Sequence, residues 1–348
     1  MRNEPMLKVE NLRKLYPVSR GIIGTLTRQP QLCVHAVDGV SFDIPRGEIL
    51  ALVGESGSGK TTTGLCTLGL TEPTEGSIHL EGENLAGLSG ARQQKALRRK
   101  AQIIFQDPYE SLNPRQTVFQ AVFEPLEVHH LASTRAEKIE KVTAALDAAG
   151  LKPPANFLHR YPQQLSGGQR QRVVIASALV LNPSYLVADE PVSMLDVSIR
   201  AEILNLLMSL REEHNITMVY ITHDLASAAY IADRVAVMYL GTIVEVGPAE
   251  TVLDDPRHPY TKALMSVIPV PNPRQRKKRI VLKGETPNPI NLPTGCRFHP
   301  RCPEAIPSCS KIEPKFEELG DNHQAACFLL GDLKWRDVHA EKMQINSK

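Results

Sequence analysis

Ile49-Leu-Ala-Leu-Val53, followed without a break by Gly54-Glu55-Ser56-Gly57-Ser58-Gly59-Lys60-Thr61-Thr62, decides the fold. Five consecutive apolar residues read as a buried strand, and the run after them matches the phosphate-binding loop pattern at every fixed position and leads into a helical stretch. Gly54, Gly57 and Gly59 let the backbone pass close to phosphate oxygens, so that successive N–H groups and the helix N-terminus face the anion. Lys60 is then expected to reach the β- and γ-phosphates of a nucleotide and the Thr61 hydroxyl to coordinate Mg²⁺, with Glu55, Ser56, Ser58 and Thr62 as further loop contacts.

Outward from this loop, short apolar runs at Ile49–Val53, Ile103–Phe105, Leu186–Ala188, Met218–Thr222 and Val235–Tyr239 alternate with helical stretches, which predicts a largely parallel α/β sheet. Arg135–Ala149 reads as an inserted helix, opened by the capping box Thr134-x-x-Glu137 and carrying Ile139, Val142 and Leu146 on one face. Beyond Pro248 eleven prolines between 256 and 307 break any long periodic element, so the last hundred residues read as a loop-rich appendage with little core of its own. Its run Arg274-Gln-Arg-Lys-Lys-Arg279 reads as a solvated charge run, with acidic lipid or nucleic acid as the alternative.

A 348-residue chain that is 42% hydrophobic can bury a large core, and 40 basic against 38 acidic residues leave a balanced charge that argues neither for nor against nucleic acid, so partners are read from motifs, which point to no nucleic acid. No run approaches the roughly 18 apolar residues of a membrane-spanning helix. The opening residues lack the apolar core of a secretory signal, so a reducing cytoplasm is expected and the six cysteines are not a disulfide framework. Cys33 and Cys66 are expected to be small buried side chains.

Tyr185-Leu-Val-Ala-Asp189-Glu190 is an apolar strand that ends in two carboxylates, which needs a cation at its end: Asp189 to hold Mg²⁺ and Glu190 to polarise the attacking water. Upstream, Leu165-Ser166-Gly167-Gly168-Gln169 opens an apolar-patterned helix and resembles the signature of ABC ATPases. Its hydroxyl, paired glycines and helix N-terminus suit a second phosphate site. In that family the signature faces the γ-phosphate held by the other subunit, which implies a site completed only by dimerisation.

The resemblance implies further roles. Gln106 looks like the Q-loop glutamine, a sensor of Mg²⁺ and the attacking water; His223 looks like the switch histidine; Tyr16 looks like the aromatic that stacks on adenine; Ser193-Met194-Leu195-Asp196 looks like the D-loop, with Met194 in place of the more usual alanine. It implies an α/β ABC ATPase cassette over residues 1–250, built of a P-loop core sheet, an antiparallel β subdomain and a helical subdomain at about 107–167, followed by a C-terminal extension over 251–348.

Phe105-Gln-Asp-Pro-Tyr-Glu-Ser-Leu-Asn-Pro114, His258-Pro-Tyr-Thr261 and Gly295-Cys-Arg-Phe-His-Pro-Arg-Cys302 together resemble the oligopeptide, dipeptide and nickel importer subfamily. That implies ATP and Mg²⁺, two membrane-spanning permease subunits, a second homologous ATPase, an extracytoplasmic solute-binding protein acting indirectly, and a place on the cytoplasmic face of the bacterial inner membrane. Nickel or another small solute, and a soluble ABC ATPase acting on nucleic acid or ribosomes, stay open as alternatives. Cys296, Cys302, Cys309 and Cys327 lack the close pairs usual for zinc, and their wide spacing resembles the tail of subfamily members that bind a [4Fe–4S] cluster. Zinc, with His299 as a possible substitute ligand, and unligated thiols remain as alternatives.

Overall fold

In the computed structural model, which describes residues 4–18, 31–88, 90–268 and 279–330, two sheets carry the chain. Strands β1 (Leu7–Pro17), β2 (Cys33–Ile44), β4 (Glu75–Leu80) and β5 (Glu83–Asn84) form an antiparallel sheet in the order β2-β1-β4-β5. The larger, eight-stranded sheet runs β11 (Glu317–Glu318), β12 (Gln324–Ala325), β10 (Thr242–Pro248), β9 (Arg234–Tyr239), β3 (Ile49–Val53), β8 (Thr217–Thr222), β7 (Tyr185–Asp189), β6 (Ala101–Ile104). Its β9-β3-β8-β7-β6 portion is parallel. β3, β7 and β8 are buried at every residue, which is why they read as unbroken apolar runs. No helix among the described residues is long and apolar enough to cross a membrane.

Parallel order puts the carboxyl ends of β3, β8, β7 and β6 side by side along one sheet edge, where ligands of open α/β sheets bind. Gly54, His223, Glu190 and Gln106 follow those four strand ends. β6 stops at Ile104, the last residue paired to β7, so Phe105 lies past the sheet and is exposed rather than being a strand residue.

Ten α-helices are described: α1 (Lys60–Thr67), α2 (Ala91–Lys100), α3 (Pro108–Ser111), α4 (Val118–Val128), α5 (Arg135–Ala148), α6 (Gly167–Leu179), α7 (Val197–His214), α8 (Leu225–Ile231), α9 (Ala249–Asp254) and α10 (Pro259–Ser266). The segment between β6 and β7 is helical, and Thr134 caps α5 by accepting from the Glu137 N–H; the expected capping box does not close, because the Glu137 carboxylate accepts from the Ser133 N–H instead. Only the second half of α5 is buried, through Val142, Ala145 and Leu146; Ile139, one turn earlier, is exposed although it shares their face. Cys66 is buried, which pushes its thiol up to about 11, but Cys33 begins an outer strand and is only partly covered.

The C-terminal segment is not a loose appendage, as its prolines suggest. β12 pairs with β10 through Glu245 and Val246, extending the main sheet. Phe298 and Tyr260 belong to the main core, where their rings meet each other and Tyr239 at centroid distances of 4.7 to 5.4 Å. Aromatic burial joins strand pairing as the anchor. Phe298→Ala is therefore expected to cost about 3–5 kcal/mol, as large-to-small core substitutions do; urea unfolding of the full chain measures it, and a change below about 1 kcal/mol would mean that the segment is not anchored there. The basic run 274–279, apart from Arg279, lies outside the described residues.

Candidate functional site

The phosphate-binding loop closes over its own lysine. Lys60 is buried, and its Nζ donates to the carbonyls of Gly54 at 2.8 Å and Glu55 at 2.9 Å and lies 3.5 Å from the Ser58 hydroxyl. Burial pulls this amine below the ordinary lysine range, opposed by the carboxylates of Glu190, Asp189 and Glu55. Gly59, at φ 102°, admits no side chain: a Cβ there would sit 2.2 Å from the Ala36 carbonyl oxygen. A cavity of about 900 Å³ opens over the loop, bounded by Gly54, Glu55, Ser56, Gly57, Gly59, Lys60, Thr61 and Thr62. Tyr16, half exposed at the end of β1, faces the same space. Ser58 does not line it, because the loop folds its hydroxyl inward beneath Lys60.

At the end of β7 the two carboxylates part company. Asp189 is buried, and its Oδ1 lies 3.2 Å from the Thr61 hydroxyl, which donates to it. Burial raises the Asp189 carboxyl, and the Thr61 hydrogen bond only partly offsets this. Two oxygen donors from separate elements thus converge beside the cavity in a setting that favours a cation, which fits the expected Mg²⁺. Glu190 adopts φ 45°, an uncommon left-handed conformation for a residue with a side chain. Its N–H donates to the Ile221 carbonyl, and its own carbonyl accepts from the Ser193 hydroxyl at 3.0 Å. Its carboxylate is set between Gln106 Nε2, 3.1 Å away, and His223 Nδ1, 3.0 Å away. Three residues separated by 84 and 33 positions, each unremarkable alone, meet because their strands are neighbours.

Leu165–Gln169 line none of this cavity. Ser166 caps α6 with a capping box, accepting from the Gln169 N–H at 3.3 Å while the Gln169 side chain accepts from the Ser166 N–H at 3.1 Å. Ser166 itself is exposed at the start of the helix, while Leu165 and Gly168 are buried. Gly168 has a second duty: a Cβ there would meet Ile199 of α7 at 2.5 Å. Asp196 caps α7, and Met194 beside it is largely exposed.

The chain is similar to known proteins along most of its length. A profile of ABC transporters matches residues 37–193, and one of the oligopeptide/dipeptide transporter C-terminal region matches residues 244–309. The chain is 46% identical to the putative oligopeptide transport ATP-binding protein YkfD of Bacillus subtilis strain 168, over 97% of its own length and 99% of that protein's. The chain belongs to the ABC transporter ATP-binding proteins. It is 47% identical to the dipeptide transport ATP-binding protein DppF of Haemophilus influenzae, over 94% of this chain and 97% of that one. Among solved structures, the ATP-binding cassette MJ0796, a dimer in a post-hydrolysis state bound to ADP and Pi, superposes with a TM-score of 0.61 and 31% identity over 70% of this chain and 99% of that one. The protein is an ABC ATPase.

For this ABC ATPase several cavity residues carry no sequence signal. Val34 and Ala36 of β2, Leu264 of α10 and Pro289 complete the wall. The last two come from the C-terminal segment, and the Pro289 carbonyl accepts from the His35 N–H at 3.0 Å. Apolar residues in a loop or at a helix end look the same in sequence whether or not they face a ligand.

The four C-terminal cysteines form no disulfide and lie near one another. The Cys296 N–H donates to the Cys309 carbonyl at 2.8 Å, and burial, reinforced by the neighbouring thiols, pushes Cys296 up to about 12 and Cys327 up to about 11. The N–H groups of Phe298, Glu304 and Leu329 point at the sulfurs of Cys296, Cys302 and Cys327, each two residues on. Among the described residues no group of three or more His, Cys, Asp or Glu side chains converges as the ligands of a single metal ion do. His299 turns its Nδ1 to the Cys296 carbonyl at 2.9 Å.

Proposed function

We propose that this chain powers an importer of di- or oligopeptides, as one of two ATPase subunits that close head to tail beneath two membrane-spanning permeases. Its match to peptide-transport ATP-binding proteins along almost the whole chain, C-terminal region included, carries the reading. Residues 1–250 are taken as the cassette, with its helical part at about 107–167, and 251–348 as the extension. The place of action is the cytoplasmic face of the bacterial inner membrane, where an extracytoplasmic binding protein delivers the solute.

In this reading the base stacks on Tyr16, and the loop from Gly54 to Thr62 surrounds the phosphates with Lys60 swung onto them. Thr61 and Asp189 hold Mg²⁺, assisted by Gln106; the ion supplies charge neutralisation on the phosphate oxygens. Glu190 orients the attacking water and takes its proton, and Gln106 and His223 fix the carboxylate for that transfer. The partner's copy of the signature closes over the γ-phosphate, so ATP favours the closed dimer and its hydrolysis removes the preference. Ser193 and Asp196 sit beside that interface. Closure pulls on the permeases and opens the solute pathway outward.

The cysteines are assigned to a [4Fe–4S] cluster: four mutually close thiols with N–H groups aimed at three of them suit thiolate ligands around a cluster wider than one ion. Bound, such a cluster supplies a covalent staple and no step of ATP hydrolysis. Anaerobic purification of the tagged chain from membranes is expected to bring two polytopic proteins and a second ATPase, with about four iron and four sulfide per chain. A chain that arrives alone and remains active would count against the importer reading. An iron-free preparation that keeps its partners would count against the cluster alone.

A further inference from the structure

The C-terminal segment reaches the phosphate-binding loop through one carboxylate. Glu55 is a fixed acidic group lining the same cavity as Lys60 and Thr61, in the loop that must receive a polyanion. A carboxylate there repels phosphate unless its charge is cancelled. The Glu55 carbonyl accepts from Lys60 and from the Ser58 N–H within the loop, but every hydrogen-bond partner of its N–H and its carboxylate comes from beyond residue 250. Its N–H donates to the Tyr260 hydroxyl at 2.9 Å, and Thr286 donates to Oε2 at 2.8 Å. Arg301 grips both oxygens in a fork, from Nη1 to Oε2 at 2.7 Å and from Nη2 to Oε1 at 3.1 Å. Burial by itself would raise the Glu55 carboxyl; the Arg301 and Thr286 hydrogen bonds outweigh it and hold the group below its usual range, as an anion.

Arg301 is itself well fixed. It is 8% exposed, its N–H donates to the Phe298 carbonyl at 3.0 Å, and its guanidinium lies over the Tyr239 ring. The planar fork matches a carboxylate in a way that a lysine ammonium does not. Nothing else in the described structure cancels Glu55 with a direct ion pair.

We propose that Arg301 is a positioning residue of the nucleotide site: it pins and neutralises Glu55, so that the phosphate-binding loop offers net positive charge to ATP. The inference rests on the assignment of that cavity to nucleotide. It makes the C-terminal extension a working part of the ATP site, and it ties the turn between Cys296 and Cys302 to nucleotide affinity.

Direct calorimetric titration of the full chain with MgATP tests it. Arg301→Met is expected to weaken binding roughly tenfold by leaving an uncompensated carboxylate beside the triphosphate. Glu55→Gln alone is expected to bind at least as tightly as wild type, and adding it to Arg301→Met is expected to restore most of the lost affinity. Arg301→Lys falls between. In the assembled transporter the Arg301→Met defect is expected in KM for ATP, with kcat nearly unchanged. Wild-type affinity in Arg301→Met, or a double variant no better than the single one, overturns the proposal. If Arg301→Met does not fold, a Glu55→Gln chain that binds MgATP tenfold more weakly than wild type overturns it as well. Failure of the wild-type chain to bind MgATP, or Lys60→Ala binding as wild type, overturns the nucleotide assignment and the proposal with it.

Discussion

Glu190→Gln is expected to lower ATP turnover by about two to four orders of magnitude while leaving MgATP affinity within a few-fold of wild type, the loss typical of one positioned acid–base group. The substitution keeps the shape of the side chain and most of its packing. It removes the group able to accept a proton from water, and it leaves Gln106 and His223 aimed at an amide. Geometry makes the residue hard to replace: its backbone is held at φ 45° by the Ile221 carbonyl on one side and Ser193 on the other. Two neighbouring carboxylates are engaged elsewhere: Asp189 is turned to Thr61, and Glu55 is held by Arg301. Single-turnover phosphate release from the assembled transporter measures the effect. Wild-type turnover in the variant would remove Glu190 from the catalytic role.

Lys60→Ala is expected to weaken MgATP binding by roughly two orders of magnitude, since each charge-assisted hydrogen bond to phosphate is worth about 1.5–3 kcal/mol. Lys60 now satisfies the carbonyls of Gly54 and Glu55. Bringing its charge to a β- or γ-phosphate exchanges carbonyl acceptors for anionic ones, a net gain that alanine cannot make. Burial, which disfavours the charged amine in the free loop, adds to the preference for a state in which an anion faces it. Equilibrium titration with MgATP provides the number, and thermal unfolding checks that the loop survives the substitution. Unchanged affinity in a folded variant would mean that the loop binds its ligand by some other group.

The central parallel strands were legible because burial on both faces leaves a continuous apolar run, as in Ile49–Val53 and Tyr185–Ala188. Caps were legible for an equally local reason: the Thr134 hydroxyl accepts from the N–H three residues on, and Ser166 and Gln169 satisfy each other's N–H groups across the same spacing. Phe105 and Ile139 were misread because exposure depends on where a neighbouring element stops. The antiparallel sheet is not spelled by any local pattern in β1, whose register shifts around Leu12 interrupt the alternation.

The available chemistry is written in short contiguous runs of the sequence whose spacing is set by covalent geometry: a phosphate-binding loop, an acidic strand end and a signature helix, to which four more widely spaced cysteines are added. Only the tertiary structure decided which groups act together. It brought Gln106 and His223 to Glu190 by strand order, turned Ser58 inward, left the signature out of the lining of its own chain's cavity, and folded Arg301 back across 246 residues onto Glu55. Such contacts depend on how the sheet is assembled and on how Phe298 and Tyr260 are buried, and no local run of residues encodes a distance across a fold.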